Sequence, residues 1–188
     1  MKKRMSLLSL AAAFFLVAVS VLSQTGCKAP PDEEIKSLME IVDIETKWVS
    51  KSYRPWPKPQ LILVPTISFR IKNLSQTPLR FVNCNAIFKF KNDVENLGDN
   101  FLSAIRGGPV SPGGVSEKIT LKSNFGVEGK NLSSFKNNPQ WKTVYAKVYV
   151  QYRGSRHVLL GEWVVSREID FKEPEPAYPE ENKESPKK

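Results

Sequence analysis

Apolar and polar side chains alternate with a period of two over much of residues 37–171. In "LVPTISFRIKN" (63–73) the apolar residues Leu63, Ile67, Phe69 and Ile71 are separated by polar ones, which is typical of a half-buried strand. Turn-forming residues interrupt this alternation at short intervals. The segments that we predict to be strands are 38–51, 63–73, 79–91, 101–107, 115–122, 142–153 and 157–171.

The alternation also predicts which side chains face a core. Three further sets of apolar residues share one face of a strand each: Leu38, Val42, Ile44 and Trp48; Val82, Cys84, Ala86, Phe88 and Phe90; and Val144, Ala146, Val148, Val150 and Tyr152. In "VSEKITLK" (115–122) the inward residues are Val115, Ile119 and Leu121. We therefore expect Cys84 to be a small buried apolar residue with low reactivity.

Seven strands with hairpin-like connections leave little room for helix. One helical turn is predicted around "NLSSFKN" (131–137), and the last two strands are predicted to form a hairpin. Because each strand has one apolar face to bury, we predict an all-β fold, a two-layer antiparallel immunoglobulin-like sandwich of about seven strands. The Cys…Trp…Cys pattern of true immunoglobulin domains is not present.

The segment from Ile67 to Val115 contains "FRIKN", "LRFVNCNAIF", "GDNF" and "VSPGG". This order, with an Asn at the end of one strand, an aromatic-rich strand next and a Pro-Gly turn after it, resembles the bacterial FxLYD and LEA14-type sandwich modules. The resemblance covers about a quarter of the chain, and "AIFKFKND" lacks the Leu-Tyr-Asp core of that signature. It implies the same sandwich and an accessory or binding role in an exported protein.

The first 26 residues have the layout of a secretory signal. Lys2, Lys3 and Arg4 precede residues 7–22, which are uncharged and too short for a typical membrane-spanning helix. The following Thr25-Gly26-Cys27 resembles the lipobox of bacterial lipoproteins, although Gln24 stands where leucine is usual. The resemblance implies that Cys27 is acylated after cleavage, and Lys28 after it implies sorting to the outer membrane.

Two alternatives to acylation remain open. The signal could be an uncleaved anchor, or Cys27 could form a disulfide with Cys84. The polar surroundings of Cys27 favour acylation, since they offer no apolar pattern that would hold the residue against a core. The predicted organisation is a signal peptide (1–26), an acylated tether (27–36), a β-sandwich (37–171) and a disordered acidic, proline-rich tail (172–188).

The charge distribution indicates what the sandwich can attract. The chain carries a net charge of +9, and residues 37–171 hold 19 Lys and Arg against 11 Asp and Glu. Such a surplus favours anionic partners such as lipid headgroups or acidic glycans, and it also serves solubility. Nucleic acid is disfavoured as a partner, because an exported, acylated protein seldom meets it.

Residues with catalytic or metal-binding chemistry are sparse. His157 is the single histidine and lies beside Arg156 in a basic turn, which disfavours the imidazolium that a catalytic base must become. Asp93, Glu95 and Asp99 are weak candidates for a calcium site, but their spacing is not that of an EF-hand, and a solvated turn is the better interpretation. We expect a protein that is not an enzyme and has no cofactor.

Two surfaces are candidates for binding a partner. In "SYRPWPKPQ" (52–60) alternate prolines impose an extended path from which Tyr53, Arg54, Trp56 and Lys58 project. The competing interpretation is a rigid connector between the two sheets, with Trp56 capping the core. A second candidate surface contains Tyr145 and Tyr149, which face outward on the predicted strand 142–153.

The expected function is that of a lipid-anchored envelope module that binds or assembles with an envelope protein without catalysis. The alternative is a carrier or sensor for an anionic lipid or glycan. A sizeable apolar cavity between the two sheets would favour the carrier.

Overall fold

The alternating segments form the strands of two stacked sheets. The computed structural model describes residues 30–136, 138 and 141–174, and those of them from Asp32 onward form one compact unit. Two short helices and nine strands occur within the described residues. They are α1 (Asp32–Leu38), β1 (Met39–Arg54), β2 (Gln60–Asn73), β3 (Val82–Phe90), β4 (Asn96–Ile105), β5 (Ile119–Lys122), β6 (Val127–Gly129), α2 (Ser133–Lys136), β7 (Val144–Tyr152), β8 (Val158–Val164) and β9 (Ile169–Asp170).

The strands are divided between a five-stranded and a four-stranded sheet. The first has the order β5-β2-β1-β9, with β6 also paired to β2, and the second has the order β4-β3-β7-β8. Every pair is antiparallel except that of β1 with β9. The prediction of an all-β, two-layer antiparallel immunoglobulin-like sandwich is confirmed, as are the hairpin of β7 with β8 and the helical turn at α2.

The core fills the space between the two sheets. Trp48, Phe69, Phe88 and Phe135 are its largest fully buried side chains. One end is closed by the ring of Trp141, whose centroid lies 5.4 Å from that of Trp48 and 5.5 Å from that of Phe135. Edge-to-face contacts at these distances are favourable for aromatic rings.

The predicted inward faces of β3 and β7 are confirmed. On β7 every second residue from Val144 to Tyr152 is buried, and on β3 Cys84 is completely inaccessible. Cys84 forms no disulfide with any of the described residues, and desolvation by burial raises its pKa to about 12. Since the thiolate is the reactive form, this burial agrees with the low reactivity expected of Cys84.

The predicted inward face of β1 is wrong over half of the strand. Asp43 has a φ of 53°, and the pairing with β2 shifts register there. Such a bulge moves the side chains that follow it to the opposite face. Met39 and Trp48 are therefore both buried, although an odd number of positions separates them and a regular strand would place them on opposite faces. Ile44 is 40% exposed.

The folded unit begins at Asp32, ahead of the predicted boundary at Ser37. The tether was predicted to include residues that in fact form α1. Ile35 is completely buried in the core, because the short helix lays it against the sandwich. The prediction that 172–188 is disordered concerns residues that lie mostly outside the described ones, as do the signal peptide and Cys27.

Two further strand limits differ from the predictions. β4 begins at Asn96, within the predicted loop 92–100, because its pairing with β3 already starts with Asn96 opposite Lys89. Val115 was predicted to face inward but is 47% exposed. It forms only an isolated bridge with Lys72, and β5 starts later, at Ile119.

The segment 157–171 forms two strands in different sheets instead of one. β8 ends at Val164, and the chain crosses to place β9 beside β1. Ser166 fixes the crossing, since its N–H donates to Thr46 Oγ1 (2.9 Å) and its Oγ donates to the Thr46 carbonyl (2.6 Å). Within the described part of the chain, no helix is long and apolar enough to cross a membrane.

Candidate binding surfaces

The β1–β2 hairpin ends in a loop of five residues that carries the most exposed aromatic side chain of the hairpin. Arg54 and Gln60 form the last pair of the ladder, and the prolines at 55, 57 and 59 have no N–H with which to continue it. The Trp56–Pro57 peptide is cis. The Trp56 side chain is 80% exposed.

Hydrogen bonds between side chains hold the base of this loop. Arg54 Nη2 donates to Gln60 Oε1 (3.0 Å), and Gln60 Nε2 donates to Glu128 Oε1 (2.7 Å) on β6. Lys58 and Lys130 lie along an open groove beside the loop. We call Arg54, Trp56 and Lys58 the hairpin tip.

Tyr53 differs from the other candidates of this segment. It is half-buried, and its ring centroid lies 5.4 Å from that of Phe171. It therefore supports the base of the hairpin. The connector interpretation is wrong, because residues 55–59 join two neighbouring strands of one sheet and Trp56 covers no part of the core.

Tyr145 and Tyr149 lie on the outer face of the four-stranded sheet, as predicted. Both are half-buried, and between them Lys147 Nζ lies 3.4 Å from Glu162 Oε2. Because the tyrosines and the hairpin tip belong to different sheets, they form two surfaces and not one site.

The sequence analysis did not place Asn85 and Phe101 in one row with Tyr149. Asn85 pairs with Tyr149 on one side and with Phe101 on the other, and Phe101 is 53% exposed. The Phe101 ring lies 6.4 Å from that of His157. The Asn85 Oδ1 atom is buried without a hydrogen-bond partner among the described residues. The alternation predicted that Asn85 faces outward. It could not predict that residues on the neighbouring strands bury its Oδ1 atom.

The weak calcium candidates do not converge. Asp93 accepts a hydrogen bond from the Glu95 N–H (3.4 Å) and lies 4.0 Å from Lys142 Nζ. Asp99 lies within β4 opposite Ile87. Among the residues that the structure describes, no group of three or more potential metal ligands is found.

No family model and no curated protein matches the chain. The chain has a weak similarity to several solved structures, three of which follow. A Northeast Structural Genomics Consortium target is 9% identical with a TM-score of 0.41 (70% of this chain, 89% of that chain). A Bordetella pertussis protein assigned as ApaA is 13% identical with a TM-score of 0.35 (69% and 93%). The ligand binding region of serine-glutamate repeat protein A of Enterococcus faecium is 11% identical with a TM-score of 0.25 (68% and 99%).

Proposed function

We propose that this chain is a lipid-anchored lipoprotein of the bacterial envelope that binds a protein partner without catalysis, as an accessory subunit of an envelope complex. Cys27 carries the acyl chains, and the outer membrane is the proposed location. The lipobox-like sequence at Thr25-Gly26-Cys27 supports the anchor. More than one acyl chain makes such an anchoring stable.

The observation that supports the binding role is the 80% exposure of Trp56. Tryptophan and arginine dominate the energetics of protein interfaces. Arg54 is held by Gln60 and the prolines restrict the loop, so that little conformational entropy is lost when a partner binds.

The anchor is tested by Cys27→Ser in the full chain. We expect this variant to leave the membrane fraction, and mass spectrometry of the native protein to find an acylated N-terminus at Cys27. An unmodified cysteine, or a Cys27–Cys84 disulfide, would refute the anchor.

The binding role is tested by Trp56→Ala, with Phe125→Ala as the matched control. Phe125 is an aromatic of similar exposure, at 67%. In crosslinked, solubilised envelopes we expect the protein to form a defined adduct that Trp56→Ala reduces at least about tenfold, the loss typical of a hot-spot residue. Phe125→Ala should leave the adduct unchanged, and equal effects of the two variants would refute the role of the tip.

A second candidate function is the carrier for an anionic lipid or glycan. It is favoured by a pocket of about 440 Å³ lined by Leu132, Phe135, Asn138, Trp141, Arg167 and Ile169, a size within the range of ligand sites. Calorimetric titration with a long-chain fatty acid tests it. A carrier should bind this ligand at least about tenfold more weakly after Arg167→Gln, since hydrogen bonds to charged groups contribute about 1.5–3 kcal/mol.

A further inference from the structure

At one end of the sandwich, arginines lie in the connections next to three neighbouring strands. Val82, near the start of β3, pairs with Ile105 at the end of β4 and with Tyr152 at the end of β7. The residues next to these pairs are Arg106, Arg153, Phe81 and Arg80. We call Arg80, Phe81, Arg106 and Arg153 the arginine end.

Phe81 is held outward by an unusual backbone conformation. Its φ is 57°, a region that bulky side chains rarely adopt and that costs of order 1 kcal/mol or more. Its carbonyl accepts a hydrogen bond from Arg153 N–H (3.2 Å). The Phe81 ring is 59% exposed, so a large apolar side chain faces solvent among cations.

Within the described part of the chain, no carboxylate neutralises the charges of these arginines. Arg80, Arg106 and Arg153 are exposed, and none of them has an ion-pair partner among the described residues. Two acidic residues of α1 already have other ion-pair partners, since Asp32 binds Arg156 and Glu33 binds Lys36.

The same end carries the start of the folded chain. Arg156, which binds Asp32, follows Arg153 in the β7–β8 connection. At the end of α1 the Leu38 carbonyl accepts a hydrogen bond from Leu74 N–H (2.9 Å), in the turn that leads to Arg80. Asp32 is five residues from Cys27, so the distance between their Cα atoms cannot exceed about 18 Å.

We propose that the arginine end docks on the anionic surface of the membrane, with the three guanidinium groups on lipid phosphates and the Phe81 ring in the headgroup layer. Arginine suits this role because its planar fork binds phosphate through two hydrogen bonds. The orientation on the membrane rests on the proposed function, since it assumes an anchor at Cys27. The surface itself does not depend on the anchor.

The test is co-sedimentation with vesicles, using a chain of residues 27–188 that carries Cys27→Ser. This chain keeps the compact unit that begins at Asp32 and has no acyl chain, so binding reports on the surface alone. We expect it to bind vesicles of phosphatidylglycerol and phosphatidylcholine, to ignore pure phosphatidylcholine, and to dissociate as salt is raised.

Charge-matched variants decide whether the site is specific. Arg80→Gln, Arg106→Gln and Arg153→Gln together should lower vesicle affinity roughly a hundredfold, at about fivefold per arginine. The control combines Lys91→Gln, Lys130→Gln and Lys142→Gln, three exposed lysines at the opposite end, and should lower vesicle affinity only a few-fold. Equal losses in the two variants would overturn the site in favour of diffuse attraction.

Two further measurements keep the proposal open to refutation. Phe81→Gly removes the ring and suits the positive φ, so it should weaken binding several-fold while the protein stays folded by circular dichroism; unchanged binding would refute the role of Phe81.

Inorganic phosphate should release the protein no better than chloride of equal ionic strength, and selective release would indicate a free-phosphate site and overturn membrane docking. Whether Cys27 is acylated is decided separately, by mass spectrometry of the native protein.

Discussion

Asn73 ends β2 and closes the following turn with its own side chain. Its Nδ2 donates to the carbonyls of Thr77 (2.8 Å) and Val110 (2.9 Å), and its Oδ1 accepts from Ser75 N–H (2.9 Å) and Ser75 Oγ (2.7 Å). The residue is completely buried. One amide thus holds the Ser75 N–H and adds a second hydrogen bond to the Thr77 and Val110 carbonyls, which also accept from Ser75 Oγ and Leu79 N–H.

Asn73→Ala should lower the free energy of unfolding by about 3 kcal/mol, because it removes the four hydrogen bonds of a buried amide, each worth about 0.5–1.5 kcal/mol. For a domain of this size the thermal midpoint should fall by roughly 10 °C. The control is Gln76→Ala, at an exposed position of the same turn, which we expect to be within about 0.5 kcal/mol of the native protein. Urea unfolding measures both, and a similar small effect of the two changes would contradict this account of the turn.

Gly126 is constrained by a close backbone approach. A Cβ atom at this position would overlap the carbonyl group of Leu63, whereas one at Gly107 would meet nothing within 4 Å. Gly126→Ala should therefore destabilise the protein by at least about 2 kcal/mol, because the new Cβ atom would overlap backbone atoms of β2, which cannot move away easily. Gly107→Ala should be neutral in the same thermal unfolding experiment, and a tolerated Gly126→Ala would show that β2 moves freely here.

At the level of the strands, alternation with a period of two predicted the inward-facing residues correctly where a strand is regular, and it failed where a strand has a bulge. β7 has no bulge in its pairing with β3, and its five inward residues were predicted correctly. β1 could not be predicted in the same way, because the positive φ of Asp43 is not encoded by a glycine. A side chain at that position gives no sign that the inward face changes.

Of the binding surfaces, the sequence could predict the one whose residues are consecutive, but not the one that strand register brings together. Trp56 and its neighbours follow one another in the sequence, so their proline-rich context could be recognised directly. Arg80, Arg106 and Arg153 lie on three separate connections. Only the register of β3 with β4 and β7 brings them to one end, and register depends on the whole fold.

An exposed ion-pair network connects three strands of the larger sheet. Glu45 on β1 binds Lys118, which precedes β5, and also Lys47, whose Nζ lies 2.9 Å from Asp170 Oδ2 on β9. The hydrogen bonds from Lys118 and then Lys47 lower the pKa of Glu45 from 4.5 to about 2. A group whose pKa is lowered on folding stabilises the protein above its unfolded pKa and loses this effect as pH falls.

Glu45→Gln should therefore lower the thermal midpoint at pH 6, and the difference from the native protein should shrink between pH 4.5 and pH 2, the window set by the two pKa values of Glu45. Because the carboxylate is exposed, we expect the difference to be small and to decrease in about 1 M salt. Scanning calorimetry across this range measures it. A difference that did not vary with pH would mean that the network contributes through packing and not through charge.

At the scale of the whole molecule, β1 separates the two proposed functional surfaces. The start of β1 follows α1, beside the arginine end, and its last residue, Arg54, belongs to the hairpin tip. Sixteen residues in a strand extend over roughly 50 Å. If the arginine end lies on the membrane, Trp56 is presented at about this distance from it, where a second envelope component is within reach.

This geometry predicts how Trp56 responds to quenchers in the native, acylated protein bound to vesicles. The emission that disappears in Trp56→Phe should be quenched by aqueous acrylamide and left unchanged by brominated phosphatidylglycerol. Phe81→Trp, made in the Trp56→Phe chain as the matched control, should add emission with the opposite response, because residue 81 is proposed to lie in the headgroup layer. Quenching of Trp56 by the brominated lipid would place the hairpin tip in the membrane and reverse the orientation, which would leave the arginines free for an anionic partner on the far side.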